Sequence, residues 1–167
     1  MSRLCAVLAV LLMGGVVGVA PAGAGGSAAG RCLTSDFKIS RGPLESALGH
    51  YRQTVRLRNV AHSSCAVSGW FTAHLLDASG GTLSSRERRI TTDYFGTSPK
   101  PTVTVNAGGS ASFAIDTVAP ATSCPYSKAV AVTPPGGSGS ERVKLSVLAC
   151  AEFSVLPVQP GDHAIHP

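Results

Sequence analysis

Beyond residue 24 the chain never sustains an apolar stripe of helical period. It runs instead in short alternating segments cut by Gly and Pro, of which the sequence holds 19 and 11. A chain written this way can bury its apolar side chains only in sheets, because alternate residues of a strand share a face. His50 to Asn59 is the clearest segment. Tyr51, Val55 and Leu57 fall on one face, and Arg52, Thr54, Arg56 and Arg58 on the other. One apolar and one cationic face predict a half-buried strand of an antiparallel sheet. The same reading places Phe37 with Ile39, and Val67 with Phe71, Ala73 and Leu75, with a kink at Ser68-Gly69. It also groups Ala111 with Phe113 and Ile115, and Val143 with Leu145 and Val147. Leu83 to Thr91 contains Arg86-Glu87-Arg88-Arg89 and predicts a polar edge strand. Asn106 to Gly109, between two alternating segments, is a hairpin signal, and Phe153 to Val158 is a short closing segment. About eight strands at this spacing predict an all-β fold, an immunoglobulin-like antiparallel sandwich.

The first 24 residues read differently. Arg3 precedes an uncharged apolar run from Leu4 to Val19, which ends at Pro21-Ala22-Gly23-Ala24. A cation, an apolar run and a small-residue exit constitute an export signal cleaved after Ala24, with Ala20 as the second choice. Arg31 before Cys32 excludes a lipobox, so the expectation is a secreted protein that is not a lipoprotein. Residues 25–31 are then a short disordered lead, 32–158 the sandwich and 159–167 a flexible tail. Loss of Arg3 from the 14 cations, against 9 acids, leaves a net charge of about +4. Scattered as it is, that charge is too small for a nucleic-acid footprint.

Cys5 leaves with the signal, and Cys32, Cys65, Cys124 and Cys150 remain. In an exported chain without a C-x-x-C pair, four cysteines predict two disulfides rather than a metal site. Three connectivities are open. If every link reverses the chain, all four cysteines share one pole. The closeness of domain termini then favours Cys32–Cys150 and Cys65–Cys124. Such long loops would each contribute about 4–5 kcal/mol.

The run Asn59-Val60-Ala61-His62-Ser63-Ser64-Cys65-Ala66-Val67-Ser68-Gly69-Trp70-Phe71 resembles a recurring segment of an actinobacterial family of secreted proteins and lipoproteins, the domain of unknown function 4232. Further matches are Leu75-Leu76-Asp77, Val105 to Ala111, Cys124, Val132 to Gly136 and Cys150. Where the family has Pro after the aromatic residue, this chain has Phe71. These motifs are structural. The resemblance implies a four-cysteine sandwich and carries no activity with it.

Catalytic patterns do not assemble. Gly136 to Ser140 lacks the closing Gly of a nucleophile elbow. Ser35 and Lys38 form a Ser-x-x-Lys pattern, but on a strand they point to opposite faces. No Gly-rich loop joins a strand to a helix, so no phosphate cradle is read. His163 and His166 read as part of a solvated tail, and no metal or other cofactor is expected. Trp70 reads as a core or near-core anchor.

Two surface features are candidates for binding. One is the loop Thr92 to Pro101 with adjacent Tyr94 and Phe95. The other is the cationic strand face of Arg52, Arg56 and Arg58, which suits an anionic envelope polymer. The expected function is therefore that of an exported, non-enzymatic module binding or coating at the cell envelope. Its partner would be an envelope polymer or an exported protein. The alternatives are an inhibitor presenting a disulfide-held loop to an exported hydrolase, and a hydrolase whose residues converge only in space.

Overall fold

The structure is a computed structural model that describes residues 29–120 and 123–162. The expected signal segment, His163 and His166 lie outside the described residues. The regular elements of the described chain are fourteen strands, several of only two residues, and one short 3-10 helix at Thr34–Asp36. The fold is all-β, and its sheets are largely antiparallel, as the alternation predicts.

One layer is a six-stranded sheet. Its neighbours run β2 (Phe37–Ala47), β3 (His50–Asn59), β10 (Ser110–Val118), β13 (Glu152–Val155) and β6 (Arg86–Arg89), with β14 (Gln159–Pro160) also on β10. The facing layer is split in two. β1 (Gly30–Arg31), β4 (Cys65–Ser68) and β9 (Thr102–Val105) form one part. β5 (Thr72–Leu76), β11 (Ala129–Thr133) and β12 (Glu141–Val143) form the other. A small hairpin, β7 (Thr92–Asp93) with β8 (Gly96–Thr97), stands apart. Gly69 splits the facing layer. Its φ of +97° turns the chain from β4 to β5, a geometry that favours glycine.

One apolar core lies between the layers. Val55, Leu57, Phe113 and Ile115 are fully buried from the six-stranded side, and Phe71, Val130 and Val132 from the other. Phe71 stacks on Phe113 with ring centroids 4.7 Å apart and makes an edge contact with Phe37 at 6.3 Å between centroids. Trp70 packs against this core, donates its indole N–H to the Ile90 carbonyl at 2.9 Å and carries the Lys100 ammonium over its ring. Asn59, fully buried at the end of β3, ties three segments together. Its amide donates to the Ser63 and Val105 carbonyls, and its oxygen accepts from the Ala61 N–H, each at 2.9 Å.

Four expectations are corrected. First, the disulfides are Cys32–Cys65 and Cys124–Cys150. Cys32 does not open β2. It follows β1, which lies parallel to β4 with Gly30 opposite Cys65, and its N–H reaches the Ala66 carbonyl at 3.0 Å. Cys124 and Cys150 meet because Tyr126 bridges Leu148 and Ala149 donates to the Pro125 carbonyl. Second, Gly30–Arg31 belong to the sheet rather than to a disordered lead. Third, Gln159–Pro160 pair with β10 rather than fray, and Gln159 is buried. Fourth, Asn106 to Gly109 do not close a hairpin. β9 pairs with β4 and β10 with β3, so this turn crosses between layers. The edge strand β6 is where the charge run places it, but it pairs in parallel with β13.

The observed bridges span 33 and 26 residues, so each constrains one corner of the domain instead of joining its ends. Removing either bridge is expected to lower the unfolding free energy by about 3–4 kcal/mol in urea titration. Peptide mapping of the unreduced protein should recover Cys32 with Cys65 and Cys124 with Cys150.

Candidate functional site

The alternation along β3 is observed, but its cationic face is mostly covered. Arg52 is 1% exposed, Arg56 is half-buried and only Arg58 is exposed. Two segments cover this outer face. Leu156, with Ile90, packs on Ala114, and the β7–β8 hairpin folds over the far end of β3. The expectation of a solvated cationic face is therefore corrected. Period-two patterning assigns residues to a common face but does not say what later chain lies upon it.

Arg52 is the fixed point of this region. In register across the sheet it stands between Glu45 of β2 and Asp116 of β10. Neither is its main partner. Asp93, whose side chain is also 1% exposed, descends from the hairpin and accepts from Arg52 with both carboxylate oxygens, one at 2.6 Å from Nε. Asp93 Oδ1 also accepts the Phe95 N–H at 2.8 Å, shaping the turn between β7 and β8. The Arg52 guanidinium lies 5.1 Å from the Phe95 ring centroid. Cation–π contact and bidentate pairing together suit a planar, weakly hydrated guanidinium, and a Lys would supply neither fork nor plane. Glu45 remains 4.0 Å from Arg52 Nη1 and 40% exposed.

The adjacent aromatics predicted from the loop thus divide their work. Phe95 turns inward over Arg52. Tyr94 remains 49% exposed and stacks on His50, with ring centroids 4.6 Å apart. His50 pairs in register with Val118, which is also 49% exposed. Leu48, at the tip of the β2–β3 hairpin, is 85% exposed and holds a φ of 48°, unusual for a branched side chain. Leu44 and Tyr126 are exposed at the same end, where both line one cavity with Thr117. The remaining large exposed apolar residues among those described, Leu33 and Val60, lie at the opposite end of β2 and β3. One pole of the sandwich therefore gathers Leu44, Leu48, Tyr94, Val118 and Tyr126 around a rigid support. Asp93, His50, Leu48 and Val118 were not singled out in the sequence. The one local signal was Ala-Leu-Gly-His between two alternating segments, which marks a tight hairpin with an apolar tip.

Asp116 completes the charged row. Burial, and then repulsion from Asp93, push its carboxyl up to about 6, although His50 and Arg52 pull the other way. No group of three His, Cys, Asp or Glu side chains able to hold a metal occurs among the described residues. None of the described helices is long and apolar enough to cross a membrane. Arg56 donates at long range to the Asp162 carbonyl, so the three arginines do not form a single patch.

Replacing Arg52 by Met is expected to cost about 3–5 kcal/mol, because it leaves Asp93 buried and unpaired. Adding Asp93→Asn should recover part of that loss in a double-mutant cycle. For Asp116 the folded pKa lies above the unfolded one, so protonation favours folding. The stability it contributes is full below the unfolded value of 3.8 and is lost as pH rises through about 6. Asp116→Asn should therefore raise Tm above about pH 7 and leave it unchanged near about pH 3.5, as read by thermal denaturation.

Comparison with curated proteins and with solved structures found no match to the chain. Residues 32–160 match the family model described as a domain of unknown function, DUF4232. The match begins at the first cysteine of the Cys32–Cys65 bridge and runs through β14, so it takes in both disulfides and the whole charged row. The chain belongs to the DUF4232 family.

Proposed function

We propose that this protein is an exported, non-enzymatic binding module that engages a partner protein at the cell envelope through its apolar pole. The observation that carries this reading is the segregation of exposed apolar side chains. Leu44, Leu48, Tyr94, Val118 and Tyr126 share one end, around a hairpin held down by a buried ion pair. Aromatic and aliphatic side chains on a rigid support lose little conformational freedom on binding, which suits the centre of a protein interface. Export is supported by the N-terminal segment of the sequence and by two disulfides, which form in oxidising compartments. The non-enzymatic part rests on the sequence, which offers no nucleophile–base motif.

The inhibitor reading takes a different form on this structure. Residues 92–101 contain no cysteine, and Arg52 with Asp93, not a disulfide, holds the hairpin down.

Leu48→Ser should leave Tm within about 1 °C of the parent, since the side chain is 85% exposed, whereas Tyr94→Ser should lower Tm by a few degrees, since it removes the stack on His50. Both should abolish recovery of a stoichiometric partner from a native envelope extract, with a photo-crosslink from position 48 mapping to that partner. Equal recovery by the variants would overturn the reading. Binding to protein-free liposomes that is lost in the same variants would replace the partner protein with a lipid surface.

A further inference from the structure

Asp116 lies one strand away from the Arg52–Asp93 pair, in register with Arg52. It is 6% exposed, and its Oδ1 is buried without a hydrogen-bond partner among the described residues. Arg52 is in the complementary state. Its Nε and Nη2 donate to Asp93, while Nη1 is buried and likewise has no hydrogen-bond partner among the described residues. A donor and an acceptor on adjacent strands, each buried and each unpaired, mark a contact that is within reach but not made. Leaving a charged group in that state is costly. The cost falls if the Asp116 carboxyl carries a proton, and burial together with Asp93 raises that carboxyl to about 6.

Four elements bring charged or titratable groups to Asp116. From β3 come Arg52 and His50, whose Nδ1 is also buried without a partner among the described residues. From β2 comes Glu45, on the far side of Arg52. The hairpin brings Asp93, and Tyr94 stacked on His50. On β13 the neighbour in register is the uncharged Ser154, and Glu152, two residues before it, is held by Arg86 and Arg88. One guanidinium thus stands among three carboxylates, and Asp93 takes it with both oxygens. If Asp116 ionises, a second buried carboxylate meets the same cation. The repulsion that raises Asp116 then acts equally on Asp93.

The hairpin is the element able to respond. Its stems are fixed, because the Ile90 N–H donates to the Val155 carbonyl at 3.1 Å and the Gln159 amide donates to the Pro99 carbonyl. Between them β7 and β8 are two residues each, and Thr92, Gly96 and Thr97 are exposed. Asp93, Tyr94 and Phe95 carry its contacts with Arg52 and His50. We propose that the β7–β8 hairpin is a proton-operated latch, closed on Arg52 while Asp116 is protonated and released when Asp116 ionises and takes the guanidinium. Lifting the hairpin moves Asp93 into water, admits water to Asp116 and lets Arg52 Nη1 donate across the strands. The closed state holds the carboxyl up, and the open state returns it towards 3.8, so protons favour closure. That contribution is full below 3.8 and is lost as pH rises through about 6. Tyr94 travels with the hairpin, so its stack on His50 forms in acid and is released at neutral pH. The latch goes beyond the partner reading and is tested on the protein alone, so either can fail without the other.

The test is amide hydrogen exchange of the oxidised mature protein. The probes are the Phe95 N–H, which donates to Asp93, and the Ser98 N–H, which donates to the Thr91 carbonyl. Their protection, corrected for the intrinsic pH dependence of exchange, should fall on the order of tenfold between about pH 5 and about pH 8. Sub-denaturing urea should not alter these rates, as expected of local opening. Asp116→Asn, a neutral stand-in for the protonated acid, should keep the protection high at both pH values. His50→Gln should move the midpoint upward, since the imidazole pulls the Asp116 carboxyl down. Protection that is the same at both pH values, or a pH dependence that persists in Asp116→Asn or vanishes in His50→Gln, would overturn the proposal. Exchange that accelerates with urea in step with Val55 and Phe113 in the core would also overturn it, because the opening would then be global.

Discussion

A guanidinium that is 1% exposed on the outer face of a sheet is the constraint around which the functional end of this domain is arranged. β3 pairs along its length with β2 on one side and β10 on the other, so Arg52 has a fixed place in the row Glu45–Arg52–Asp116. A buried cation requires a partner with matching geometry, and Asp93 brings two oxygens from 41 residues downstream. The pair decides where the β7–β8 hairpin lies. Phe95 then covers the guanidinium, Tyr94 stands on His50, and Asp116 loses enough water for its carboxyl to rise to about 6. The lie of the hairpin, the stacking of Tyr94 and the raised carboxyl of Asp116 follow from one ion pair.

The inner side of the same end is shaped by backbone rather than charge. The bulge at Gly42–Pro43 displaces β2, and Gln53 holds it by donating to the Gly42 and Pro43 carbonyls. Opening a sandwich at one end costs core contacts. The Cys124–Cys150 bridge lies beside this opening, with Cys150 Sγ 4.0 Å from the Val118 carbonyl. The Cys32–Cys65 bridge secures β1 to β4 in the facing layer, where Asn59 gathers the turn before Cys65. Both bridges thus stiffen corners where the strands are short and the ladders supply few hydrogen bonds.

Which residues face the core was legible along each strand, because pleating forces alternation wherever one face is dry. Val55 with Leu57, Phe113 with Ile115, and Val143 with Leu145 and Val147 are all buried as the pattern reads. The edge position of Arg86 to Arg89 was legible for the same reason, since four charged side chains in a row cannot be covered on both faces. Parity fails where a second layer is added from outside. Arg52 and Arg58 are alike in the sequence, yet one lies under a hairpin and the other faces solvent.

By itself the sequence determined an all-β fold, the set of residues turned to the core, and four cysteines committed to two bridges. These are properties of neighbours along the chain, set by strand period and turn chemistry. Only the tertiary structure decided which cysteines meet, which face of β3 stays dry and where the exposed apolar side chains collect. Those outcomes depend on strand adjacency. The parallel placement of β1 beside β4 and the return of residues 92–97 across β3 both join segments tens of residues apart, and no local pattern encodes them. The candidate site is built from such long-range encounters, which is why its centre, Asp93 on Arg52, became visible only in the folded chain.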